Sequence, residues 1–203
     1  MGIHAGRLNF GAPQHGAGLI GPGRGRIVLL TTRDGLAAQA GHDLTIEVTH
    51  WSAELEVADD LIPANLSVRA DMNSLAVREG TGGVKQLTDR DRREIVATAR
   101  KLLGTDRYPE ATFVASKFVP DELGGGVVDG TLTIKGREGR LQLAVSKTGN
   151  AAYHATGTVQ QSEFGIKPYT AFLGVLRVSD RVSIAVDLEL PEADNALADP
   201  GDQ

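Results

Sequence analysis

The sequence predicts a mainly β protein: one antiparallel sheet closed into a single barrel of about eight strands, with one α-helix inserted at about residues 88–103. Three observations predict it. Apolar and polar residues alternate with period two in most of the stretch from 26 to 190. Each alternating run has one dry and one wet face, which favours antiparallel over parallel pairing. A single window carries an apolar stripe at helical spacing. Closing the sheet removes its unpaired edges, and about eight strands make a barrel just wide enough to be filled by side chains or to hold one small ligand.

The elements follow in chain order. Residues 1–25 hold eight of the 25 Gly with Pro13 and Pro22, and read as a flexible Gly-rich leader that cannot bury enough apolar surface to fold. Their apolar residues are scattered, so the continuous run of a signal peptide is missing. Leu44, Ile46 and Val48 are apolar at even positions, whereas Trp51, Leu55 and Val57 are apolar at odd ones. That slip near Thr49–His50 predicts a bulge or a corner. Leu66, Val68, Ala70 and Met72 alternate with polar residues as a further strand. Thr88 or Asp89 caps the helix, Ile95, Val96, Ala99, Leu102 and Leu103 form its apolar stripe, and Gly104 ends it.

Val128, Gly130, Leu132 and Ile134 make the next alternating strand, Leu141, Leu143 and Val145 another, and Val182 to Leu190 the last. Gly136-Arg137-Glu138-Gly139 and Thr148-Gly149-Asn150 read as hairpin turns. Residues 191–203 carry four carboxylates and no basic residue, an acidic disordered tail. One barrel domain, 26–190, lies between the tails. No apolar run approaches the ~18 residues of a membrane span, so the expected location is the cytoplasm.

Composition excludes several chemistries. No Cys means no disulfide, no thiolate metal site and no Cys nucleophile. A net charge of −5 argues against a nucleic-acid partner. There is no Gly-x-Ser-x-Gly elbow and no phosphate-binding loop. His42 and His50 lie on one extended stretch, but a metal site wants a third ligand and tighter spacing. The expectation is therefore no catalytic residues, no metal, no cofactor and no enzyme activity.

Two features point to binding. The segment from Lys85 to Lys101 is net +3 in an acidic chain. Arg92, Arg93, Arg100 and Lys101 form either a solvated helix face or contacts to an anionic head group or membrane surface. The chain also has only nine aromatic residues against its 25 Gly. Gly130 and Gly157, with Ala70 and Ala155, leave room at inward positions, which suggests a cavity. Its candidate lining is Trp51, Phe113, Leu132, Ile134, Leu143, Val145, Tyr153, Phe164, Ile184 and Val186. The alternative is a barrel filled by its own side chains that serves as a scaffold or partner-binding module.

An ordered string of motifs resembles a known family. Asn73-Ser74-Leu75 follows an early strand, and a polar helix comes next. Then come Tyr108-Pro109-Glu110-Ala111-Thr112-Phe113, Gly130 to Gly136, Ser162-Glu163-Phe164-Gly165-Ile166 and Val178-Ser179-Asp180-Arg181-Val182. In this order and spacing, residues 26–190 resemble the YceI-like family of lipocalin-like barrels. The resemblance implies a cavity for a long-chain isoprenoid or acyl ligand, a soluble carrier or sequestering role, and a homodimer as an option. Gln161 stands where family members often carry Arg.

Overall fold

The computed structural model describes residues 6–11, 24–57, 63–150 and 152–189, with backbone only at 6–11, 55–57, 63–65 and 172. Among the described residues twelve strands join one sheet. They are β1 (Gly6–Gly11), β2 (Gly25–Asp34), β3 (Asp43–Val48), β4 (Trp51–Val57), β5 (Pro63–Asp71) and β6 (Leu75–Thr81), then, after helix α1 (Asp89–Leu103), β7 (Glu110–Pro120), β8 (Gly126–Ile134), β9 (Arg137–Lys147), β10 (Ala152–Gln160), β11 (Thr170–Ala171) and β12 (Leu176–Glu189). The main path runs β1-β4-β5-β7-β8-β9-β10-β12-β2-β3-β6, with β11 beside β12. Its pairings are antiparallel, as the half-solvated alternation requires.

The path corrects the expectation of a closed eight-strand barrel. No ladder joins its two end strands among the described residues, and the sheet curls into an open half-barrel. The cause is the corner predicted from the phase slip. Residues 43–57 and 63–81 pair as one long hairpin, broken between Val48 and Trp51 on one arm and between Asp71 and Leu75 on the other. Beyond the break each arm joins a different part of the sheet: β3 pairs with β2, and β5 with β7. At the corner the arms are tied by Thr49 N–H to the Ser74 carbonyl at 3.2 Å and Asp71 N–H to the His50 carbonyl at 3.0 Å.

Two local expectations also shift. Within the expected leader, Gly6–Gly11 forms β1, because its backbone donors and acceptors meet the open edge of β4. The rest of that leader (1–5 and 12–23) and the acidic tail fall outside the described residues. The β8–β9 turn is Lys135-Gly136 rather than 136–139, with φ of 53° and 70°. Two positive φ values in a two-residue loop match the twist of the flanking strands.

The helix forms as the sequence dictates. The Thr88 hydroxyl accepts from Asp91 N–H, the Asp91 carboxylate accepts from Thr88 N–H, and Gly104 closes the last turn in the left-handed region. Its apolar stripe packs onto a cluster built on Ile27, Ile46, Val48, Met72, Leu75 and Val77. A second cluster holds Phe113, Val128, Leu132, Leu141, Val159, Phe164 and Ile166. The helix is pinned at both ends: Arg92 donates to the Val77 and Arg78 carbonyls at 3.0 and 2.7 Å, and Lys135 Nζ to the Leu102 carbonyl at 2.9 Å.

Candidate functional site: an apolar interior

The curled sheet and the helix enclose a cavity of about 1440 Å³. Strand alternation builds its wall. In β12 the inward set is Val182, Ile184, Val186 and Leu188, and in β9 it is Leu141, Leu143 and Val145. The helix contributes Ile95, Ala99, Leu102 and Leu103, with Asp91, Glu94 and Thr98 at its edge.

Nine of the ten residues read from the sequence as lining stand on this wall: Trp51, Phe113, Leu132, Ile134, Leu143, Val145, Tyr153, Ile184 and Val186. Phe164 does not. It is 1% exposed and belongs to the second core cluster, with its ring over Gly139. Ala70 and Ala155 border the cavity as expected. Gly130 and Gly157 correct the reading that glycine vacates cavity space. A Cβ at Gly130 would enter the Phe113 ring, and one at Gly157 would lie 2.7 Å from the Leu143 Cδ2 methyl. Those notches are filled by neighbours.

The four basic helix residues read as head-group contacts, Arg92, Arg93, Arg100 and Lys101, are not on the wall. Arg92 holds the β6 carbonyls, and Arg100 donates to the Asn73 carbonyl, so both fasten the helix. Sequence reading missed the lining residues of β2, Ile27, Leu29, Thr31 and Arg33. The run Ile27-Val28-Leu29-Leu30 is apolar on both faces, which masks its period of two.

Polar groups sit where the cavity meets the rims. Toward one rim it is bordered by Arg33, His42, Gln161, Tyr169 and Arg177, and toward the other by Lys117 and Lys147. Arg33 donates to the Gly41 carbonyl at 2.8 Å and lies 3.8 Å from Asp43. His42 Nε2 donates to the Lys85 carbonyl at 2.7 Å, and His154 pairs with Asp187 at 2.7 Å on the outside. The Thr31 hydroxyl is buried without a partner, alone in this among the described side chains.

Among the described residues three carboxyls titrate below their ordinary 3.8. Hydrogen bonds from Thr88 hold Asp91 down, the Arg140 guanidinium holds Asp129 down, and Ser162 does the same for Asp180. Each has a structural partner that explains it, so none marks a reacting group. Among the described residues no three His, Asp or Glu side chains gather as a metal site, and no helix is long and apolar enough to cross a membrane.

None of the curated proteins compared matches the chain. Among solved structures it is similar to BcnA of Burkholderia cenocepacia, at 20% identity over 81% of this chain and 94% of that one, with a TM-score of 0.54. It is also similar to the YCEI protein of Campylobacter jejuni, at 17% identity over 71% and 82% of the two chains, with a TM-score of 0.52. These likenesses concern the fold. The sequence profile of the YceI-like domain matches residues 31–190, most of the chain and nearly all of the curled sheet. The chain belongs to the YceI-like family.

Proposed function

We propose that this protein is a non-catalytic carrier that holds a long-chain apolar ligand, of isoprenoid or acyl type, inside the half-barrel. The observation that carries the reading is the size and lining of the interior. At about 1440 Å³ it exceeds the ~300–1,000 Å³ of ordinary small-molecule pockets. An interior of that size with a largely apolar wall suits a long apolar chain better than water. This favours a carrier over a scaffold with a packed core.

Magnitude also assigns roles within the site. Moving a 20-carbon tail from water gains roughly 16 kcal/mol, near the ~18–21 kcal/mol ceiling of non-covalent binding. A tail leaving a membrane is already dry, so the net gain is far smaller. Tail burial supplies capacity, and cavity length with the polar rims supplies choice.

Native mass spectrometry of freshly purified protein, followed by denaturing extraction, tests the proposal. The expected result is a recurrent apolar adduct, or uptake of added geranylgeraniol or palmitate with a change in Trp51 emission. Failure to bind either probe, together with a solid interior in an experimental structure, overturns it.

A further inference from the structure

Apolar side chains stand in solvent on two joined loops at the rim that Arg33, Tyr169 and Arg177 border. Leu36, in the turn after β2, is 97% exposed, and Leu173, between β11 and β12, is fully exposed. Ala37 N–H donates to the Val175 carbonyl at 2.9 Å and fastens one loop to the other. Val175 and Tyr169, 40% and 43% exposed, extend the apolar surface. Leu173 holds φ 56° and ψ 30°, left-handed backbone that Gly adopts freely and Leu adopts at a cost. Its side chain buries nothing in exchange. Strain kept without benefit to the fold points to use outside the fold. Gly41 in the first loop, Tyr169 just before β11, and Leu176 and Arg177 at the start of β12 border the cavity beside them. Lys167 and Arg177 are exposed beside the patch, while Asp34 is engaged by Arg177 at 3.3 Å.

We propose that this rim docks on a lipid bilayer, with Leu36 and Leu173 entering the interface, so that the ligand passes between membrane and cavity without crossing water. The inference rests on the carrier reading, which also argues for the partner. Each methylene exposed to water lowers the population in transit about fourfold, so a long chain cannot be handed over through solvent at a useful rate. Protruding leucines, a tyrosine and the exposed Lys167 suit the headgroup boundary. The basic helix face suits it less, because Arg92 and Arg100 are already committed to backbone carbonyls.

Flotation of the full chain with vesicles of phosphatidylcholine and phosphatidylglycerol tests the proposal. The Leu36→Ser/Leu173→Gly double variant should partition roughly tenfold more weakly or worse. Leu173→Gly alone should keep or raise the thermal midpoint, so that lost binding is not lost folding. An Arg93→Gln/Lys101→Gln variant should bind like the parent. The proposal is overturned if the parent does not float, if the double variant floats equally well, or if the helix variant is the one that fails. It is also overturned if the parent is a dimer that the double variant converts to monomer, since the patch then covers a second copy. Uptake of geranylgeraniol from dilute ethanol separates the two readings. Uptake without flotation removes the docking alone, and absence of uptake removes the carrier.

Discussion

Glycine and ring occupy the same space at several inward positions of this protein. Trp51 lies over Gly25, Phe113 over Gly130, Tyr108 over Gly136 and Phe164 over Gly139. The pairing accounts for part of the glycine excess: each of these rings fills space that a Cβ at its partner glycine would take. At Gly130 the notch is tight, with the Val114 carbonyl 2.6 Å from an added Cβ. Gly130→Ala should therefore cost about 1–3 kcal/mol by urea unfolding, against the usual gain from replacing a strand glycine. Alternation placed most lining residues correctly, because period two assigns a face. It misassigned Phe164 and the two glycines, because it gives direction and not depth, and the partner of a notch lies on another strand.

The helix shows how much can be read from one element. Its cap, stripe and stop are local chemistry, and all three stand where Thr88, Ile95 to Leu103 and Gly104 placed them. Thr88→Ala should cost roughly 1 kcal/mol by thermal or urea unfolding. The cap also makes stability depend on pH. Asp91 titrates lower in the folded chain than its ordinary 3.8, so its contribution is complete above that value and is lost as pH falls through the depressed one. Wild type should thus lose helix stability below about pH 4, and Thr88→Val should flatten that limb in a circular-dichroism titration. The path of the sheet was not legible in the same way. A phase slip announces a corner, yet which strand each arm meets beyond it depends on contacts far apart in sequence.

For the whole molecule the governing quantity is the interior volume, and it can be changed without touching the rims. Ala155 lies on the wall between Val145 and Val186. Ala155→Phe keeps Trp51 as the single tryptophan reporter. It should weaken geranylgeraniol roughly tenfold by fluorescence titration while changing unfolding free energy by under about 1.5 kcal/mol, because the ring enters open space. A packed-core protein would instead lose stability.

The corner at Thr49–His50 and Met72–Ser74 has a bearing on that volume. In a ladder-closed barrel, strand number and shear fix the diameter in discrete steps. Here two bent chain segments, tied by a few backbone hydrogen bonds, turn the corner of an open half-barrel. The girth is therefore set by the angle of that bend and not by a strand count, and on the carrier reading proposed above a thicker chain would be met by a change of that angle rather than of topology.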